Sequence, residues 1–240
     1  MIGPSNLPIV IVGAGFSGLG AAIELKRAGH DNFILFEAES GLGGTWRANT
    51  YPGCGCDIPS HLYSYSFEPN PNWSRSFSPQ PEILEYLERC ADKYGIRPHI
   101  RFDSRVVRAE FDPVSATWAV QTEDGKTTQA RVVINAPGPL VVPSYPNIEG
   151  LDDVFEGPVF HSARWDHDVD IRGKRVAVIG TGASAIQVVP AIAPEVERLV
   201  VFQRTPPWVI PKPDAKISQR TKDLFHRFPG ISRINRSLIY

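Results

Sequence analysis

Three observations predict an α/β protein built on two parallel βαβ units. The first is a matched pair of glycine turns, Gly13-Ala14-Gly15-Phe16-Ser17-Gly18 and Gly180-Thr181-Gly182-Ala183-Ser184-Ala185. The second is the apolar run before each, Ile9-Val10-Ile11-Val12 and Val176-Ala177-Val178-Ile179. The third is a helical segment behind each turn, succeeded by another apolar run. One G-x-G-x-x-[GA] hexapeptide is a weak signal, but two in the same register point to two Rossmann-like, dinucleotide-binding domains.

In chain order, residues 7 to 37 read as a strand, the glycine turn, a helix from Phe16 to Ala28 stopped by Gly29, and a second strand ending at Glu37. Residues 41 to 80 are rich in Gly, Pro, Ser, Asn and aromatics, with little periodicity. They read as a long ordered loop, and such loops inside compact domains usually carry function. Pro81 opens a helix from Glu82 to Tyr94, with Ile83, Leu84 and Leu87 on one face and a stop at Gly95. Short alternating runs at Val106 to Phe111, Thr117 to Thr122 and Arg131 to Ile134, with Asp124-Gly125 as a hairpin turn, predict a β-meander inserted into the first domain.

Five prolines between 137 and 158 mark a stiff connector, and the second βαβ unit starts near Lys174. Beyond Arg204 come Pro206-Pro207-Trp208, Pro211 and Pro213, then a polar helical segment from about Ser218 to Tyr240. Only two strands come after Lys174, so the second domain is expected to be incomplete in this chain. The expected division is a first nucleotide-binding domain over 1–140, an interdomain linker over 141–172 and the first part of a second domain over 173–240.

The charge at the tip of each second strand separates the two sites. Counting 24 residues from Gly13 reaches Glu37, and the same count from Gly180 reaches Arg204. At that tip a carboxylate accepts hydrogen bonds from free ribose hydroxyls, whereas a guanidinium pairs with a 2′-phosphate. The first site therefore suits FAD or NAD and the second NADP(H). An Arg–phosphate contact contributes roughly 1.5 to 3 kcal/mol, about one to two decades of preference for NADPH over NADH. The plainer reading of Arg204 is a solvated charge at a strand end.

Composition narrows the remaining classes. A hydrophobic content of 42% across 240 residues supplies a core, and a net charge of -1 provides no general attraction for nucleic acid or anionic membrane. Cys54, Cys56 and Cys90 are too few for a disulfide framework or a four-ligand zinc site, and Cys54-Gly55-Cys56 is C-x-C rather than C-x-x-C. The histidines show no H-E-x-x-H spacing, so no metal is expected. The apolar run that starts at Leu7 breaks at Gly13, and no stretch reaches the roughly 18 apolar residues of a membrane span. A cytoplasmic protein without stable membrane association is expected.

Two longer patterns sharpen the reading. Residues 155–166, Phe155-Glu156-Gly157-Pro158-Val159-Phe160-His161-Ser162-Ala163-Arg164-Trp165-Asp166, fit F-x-G-x-x-x-H-x-x-x-W-[PD]. Gly43-Gly44-Thr45-Trp46, continuing through Tyr51-Pro52-Gly53 to Asp57, fits G-G-x-W-x-x-x-x-[FY]-P-G-x-x-x-D. With both glycine turns in the same order, the chain resembles the N-terminal portion of a class B flavoprotein monooxygenase of the Baeyer-Villiger family over essentially its whole length.

The resemblance implies FAD and NADP(H) as cofactors, and a small-molecule ketone and O2 as reaction partners. In the family NADPH reduces FAD, O2 adds at flavin C4a, and the peroxyflavin attacks the ketone to give an ester or lactone. It implies that Gly13, Gly15, Phe16, Ser17 and Gly18 hold the FAD pyrophosphate and Glu37 its ribose. Gly44, Thr45 and Trp46 would line the flavin, and Val106 would touch the adenine through its backbone. Asp57 is the catalytic candidate, near flavin and nicotinamide and paired with an active-site arginine, with Tyr63 close by. Gly180, Thr181, Gly182, Ala183, Ser184, Gln187, Arg204 and Thr205 would hold NADPH. Phe155, Gly157, His161, Trp165 and Asp166 form the linker fingerprint.

Plainer roles stand beside these. Asp57 also suits an N-cap for Ile58-Pro59-Ser60. Trp46 and Tyr63 suit core aromatics, and Arg164 suits a solvated linker charge. Histidine as a residue type suits general-base work near neutral pH, yet for His161 a structural or coupling role in the linker is favoured over proton transfer. Two departures from the family pattern stand out. Pro137 replaces a common threonine in Ala136-Pro137-Gly138, removing a hydroxyl and a backbone donor. Family members also run about twice as far, so the active-site arginine and the rest of the NADPH domain are expected in a C-terminal half outside this chain. Two other classes remain open. A nitrogen- or sulfur-oxygenating flavin monooxygenase, acting on an amine or sulfide, shares the turns but has a shorter F-x-G-x-x-x-H-x-x-x-[FY] pattern, so Trp165-Asp166 discriminates. The other is a non-catalytic nucleotide-binding fragment, or one half needing a partner chain.

Overall fold

The computed structural model describes residues 6–151 and 153–239. They form two compact units. The first holds the described chain up to Ala48 together with Leu84–Val141; the second holds Asn49–Ile83 together with the described chain from Val142 onward. Packing therefore divides the chain differently from the consecutive segments 1–140, 141–172 and 173–240. Residues 49–83 have few regular elements of their own, and their buried Tyr51 packs with Val188 and Ile192 of the second unit.

In the first unit β1 (Ile9–Val12) is the inner strand of a parallel sheet. β2 (Phe33–Phe36) lies on one side, β7 (Val132–Asn135) on the other, and β3 (Ile100–Arg101) lies beyond β2. α1 (Phe16–Arg27) connects β1 to β2 and buries Gly18, Leu19, Ala22 and Ile23, the 3–4 spacing of one helix face. Lys26 and Arg27 in its last turn complement the helix dipole, and Gly29 leaves at φ +82. α3 (Gln80–Lys93) starts earlier than expected, and its part in this unit, from Leu84 onward, buries Tyr86, Leu87, Cys90 and Ala91.

An antiparallel meander of β4 (Val106–Asp112), β5 (Thr117–Thr122) and β6 (Thr127–Ala130) completes this unit, with Gly125 at φ +84 in the hairpin turn. Its third strand is not the expected Arg131 to Ile134. Polar Thr127–Ala130 takes that place through pairs such as Trp118 with Ala130, while the apolar run at 132–135 pairs with β1. Val10, Phe36, Val120 and Ala130 form one buried cluster, so meander and sheet share a core.

In the second unit β8 (Arg175–Ile179) and β9 (Arg198–Phe202) pair in parallel, joined through α4 (Ala183–Ile192). The segment after β9 runs without helix or strand to Ser218, yet Ser76 N donates to Ala215 O (2.8 Å) and Ile217 N to Ser74 O (2.8 Å). The single expected terminal helix is two, α5 (Gln219–Arg227), capped by Ser218, and α6 (Pro229–Ile239). Pro229 is the reason: it begins a helix readily but cannot donate to continue one. Tyr240 lies outside the described residues. Among the described residues no helix is long and apolar enough to cross a membrane.

Candidate functional site

The first glycine turn is closed by the protein's own backbone. Gly13 leaves β1 at φ +95, and its N–H donates to Phe36 O at 2.7 Å. A Cβ on Gly13 would stand 2.4 Å from Ala136 O, and one on Gly18 only 1.9 Å from Gly13 O. Gly15 caps α1 without a side-chain bond, and no acidic residue occupies the first helical turn. Gly44 packs against it so closely that a Cβ there would lie 3.0 Å from Gly15 Cα. An uncapped helix N-terminus beside bare glycine backbone suits a pyrophosphate.

Glu37 comes directly after β2 and is only 6% exposed. Its Oε2 accepts from Ala14 N at 2.7 Å and its Oε1 from Glu39 N at 3.0 Å. A carboxylate has about four acceptor positions, so this anchoring leaves capacity for sugar hydroxyls. Phe16 stacks on Tyr86 with centroids 6.1 Å apart, and Ser17 is exposed. Thr45 opens the one-turn helix α2 (Thr45–Ala48), and Trp46 is buried on it. Val106 begins β4, half-buried against the unit's core.

The second turn repeats the backbone path but is open. Gly180 has φ +107 and donates to Phe202 O at 2.9 Å. A Cβ on Gly180 or on Gly182 would meet nothing within 4 Å, and Gly182 caps α4 without a side-chain bond. Thr181 is half-buried and Ala183 exposed; Arg204 and Thr205 are exposed beyond β9. The Gly180–Phe202 bond corresponds to Gly13–Phe36. Geometrically, then, Gln203 is the counterpart of Glu37 and Arg204 stands one residue further on, which corrects the equal count from the two glycines.

Asp57 caps no helix, because residues 58–60 do not form one. Its Oδ1 accepts instead from Gln187 Nε2 and from Lys212 Nζ, both at 3.0 Å. Gln187 Oε1 accepts from Tyr51 OH (2.9 Å) and Gly55 N (3.2 Å), and Nε2 also donates to Gly55 O (2.9 Å). All four hydrogen-bonding positions of that carboxamide are thus used within the second unit. Burial pushes the Tyr51 hydroxyl up to about 12, against the lowering effect of a hydrogen bond from Ser184.

Around this group lies an open cleft of about 380 Å³ whose lining includes Tyr51, Cys54, Arg75, Phe77 and Lys212. Burial pushes both the Cys54 and Cys56 thiols up, which disfavours reactive thiolates. Tyr63 N donates to Pro59 O, and Arg236 Nη1 sits among the carbonyl oxygens of His61, Leu62 and Ser64, at 2.7 to 3.3 Å. Lys212 and Arg236 escaped sequence reasoning. The only cue for Lys212 was its place between Pro211 and Pro213; Arg236 carried none. Among the described residues no group of three or more His, Cys, Asp or Glu is arranged to hold a metal ion.

The linker fingerprint is a local scaffold. His161 Nδ1 accepts from Ala163 N at 3.0 Å, capping the short 3-10 turn Ser162–Arg164, and His161 N donates to Tyr145 OH at 3.1 Å. The histidine thus fills a structural role here. Trp165 meets Phe160 edge-on at 5.1 Å and packs against the Tyr51–Val188–Ile192 cluster. Asp166 Oδ1 accepts from Asp168 N. Phe155 is exposed, and its ring lies over Gly157, where a Cβ would come within 2.7 Å of it.

The pyridine nucleotide-disulphide oxidoreductase profile matches residues 10–232, a span that includes both glycine turns. The chain belongs to that family. Within it, a Baeyer-Villiger monooxygenase of Streptomyces coelicolor is 53% identical over 235 residues, covering 98% of this chain and 45% of that protein. A structure of oxidized steroid monooxygenase bound to NADP superimposes with TM-score 0.85 at 43% identity, over 96% of this chain and 43% of the other. A crystal structure of OTEMO in complex with FAD and NADP gives TM-score 0.87 at 38% identity, over 96% and 45%. The chain spans less than half the length of these relatives. Both the α/β fold class and the resemblance to the N-terminal portion of Baeyer-Villiger monooxygenases are borne out.

Proposed function

We propose that this chain forms the FAD-binding part and the first NADP(H)-binding part of a Baeyer-Villiger monooxygenase that inserts one atom of O2 into a ketone to give an ester or lactone. The observation that carries the reading is the pair of uncapped glycine-turn helices, the first with a carboxylate anchored on its turn and the second with a guanidinium exposed two residues beyond its second strand. The choice of reaction rests on the similarity to Baeyer-Villiger relatives and on Trp165-Asp166, which separate the ketone reading from amine or sulfide oxygenation. Cys54, Cys56 and Cys90, which form no disulfide, suit the reducing cytoplasm.

The residues present fit both cofactors. Gly13 and Gly18 would hold the FAD-binding turn tight against the strand, and Gly15 would admit the pyrophosphate to the start of α1, with Glu37 on its ribose. Thr181 to Ser184 would receive the NADP(H) pyrophosphate at the start of α4, with Arg204 and Thr205 on the 2′-phosphate. When bound, NADPH supplies the electrons and the flavin activates O2. Asp57 contributes a negative charge in a set orientation, held by Gln187 and Lys212. The test is ketone-dependent NADPH oxidation by the full-length protein with product analysis across cyclic, aromatic and steroid ketones. Ester or lactone is expected. Its absence with every ketone overturns the reading, and oxygenated amine without any ester transfers the chain to the nitrogen-oxygenating class.

A further inference from the structure

We infer that Lys212 is a positioning residue for Asp57, a role that rests on the reading of Asp57 given above. The Asp57 side chain is 58% exposed, and a carboxylate so placed ordinarily moves among rotamers. Here two donors converge on one of its oxygens. Gln187 Nε2 and Lys212 Nζ both reach Oδ1 at 3.0 Å, which fixes that oxygen between them and restricts the rotamers open to the side chain.

The ammonium is itself held in place. Lys212 Nζ donates to Cys56 O at 2.8 Å and stands 4.8 Å from the centre of the Phe77 ring. Pro211 and Pro213 restrict the backbone on either side. The strap that carries Lys212 is pinned where Asp214 Oδ2 accepts from Arg75 Nε at 2.6 Å and its Oδ1 accepts from Phe77 N at 3.2 Å. Arg75 is thereby engaged by Asp214, and among the described residues Lys212 is the cation paired with Asp57. Gln187 is fixed with equal firmness by Tyr51 and Gly55. An exposed ion pair of this kind adds little to stability; its effect is on orientation.

The test uses the full-length flavin-loaded protein and tracks flavin bleaching by NADPH in rapid mixing, with Lys212→Met, Lys212→Arg, Asp57→Asn and the double variant Asp57→Asn/Lys212→Met. Loss of the positioning cation in Lys212→Met is expected to slow reduction by about tenfold, as a small misplacement of a reacting group does, with the ketone KM unchanged. Lys212→Arg recovers most of the rate, and the double variant is no slower than Asp57→Asn alone. Amide exchange of Gly55 and Cys56, measured without NADPH, stays at the wild-type level in Lys212→Met, because Gly55 N donates to Gln187 Oε1 and Cys56 N to Ser78 O, neither of which needs Lys212. Faster exchange there, or an equal loss from Lys212→Met with and without Asp57, makes Lys212 merely structural and overturns the inference. A loss in Asp57→Asn with none in Lys212→Met overturns this inference alone. A wild-type rate in Asp57→Asn overturns the role of Asp57 as well.

Discussion

The two glycine turns take the same backbone path, each first glycine donating to the last residue of the second strand, but their surroundings differ. At the first, an added Cβ on Gly13 or Gly18 collides with carbonyl oxygens of the protein itself. At the second, added Cβ atoms on Gly180 and Gly182 meet open space. Glycine is thus demanded by packing at one turn. At the other it is demanded by φ +107 at Gly180 and by nothing in the fold at Gly182. The same hexapeptide can record either a folding constraint or room kept for a ligand.

The largest effect expected from this contrast is that of Gly18→Ala. Its Cβ, 1.9 Å from a backbone oxygen, forces α1 away from β1 and costs about 3 kcal/mol or more in urea unfolding. A loss near zero would break the comparison. Next comes Arg204→Gln, which lowers the ratio of NADPH to NADH affinity by about one to two decades, or roughly 1.5 to 3 kcal/mol, measured by coenzyme titration. An unchanged ratio would return Arg204 to the role of a solvated charge.

Tyr51 sharpens the second half of the comparison because it bonds both Ser184 and Gln187 of α4. Its folded pKa of about 12 lies above the ordinary 10.0, so the neutral phenol is favoured in the fold. The associated stability is fully present below pH 10 and is lost as pH rises toward 12. Denaturant melts across that window should fall less steeply for Tyr51→Phe than for wild type; parallel slopes would contradict the burial effect. The smallest effect belongs to Gly182→Ala. Stability stays within about 0.5 kcal/mol of wild type, while NADP(H) binding weakens if the open space is meant for its pyrophosphate. A large loss of stability would show that the second turn is as closed as the first.

Much of this was legible because its cause is local. The strand at Ile9–Val12, the helix from Phe16, and the turn at Gly125 each arise from apolar spacing or a glycine at positive φ. The third strand of the meander was not legible. Thr127–Ala130 carries no apolar alternation, whereas 132–135 does and was claimed by β1 instead. Equal spacing likewise aligned Arg204 with Glu37, but the link between turn and strand end is one residue shorter at the second turn, so Gln203 takes that place.

By itself the sequence determined the two βαβ units, their glycine turns and the contrast of a carboxylate with a guanidinium, since strand periods, turn dihedrals and strand-end charges are properties of near neighbours. Only the tertiary structure decided that residues 49–83 pack with the second unit, and that Asp57 meets Gln187 and Lys212 rather than capping a helix. Those partners lie 130 and 155 residues along the chain. A single polar side chain leaves no periodic trace over such a distance, and its bonds are settled only when the core brings the segments together.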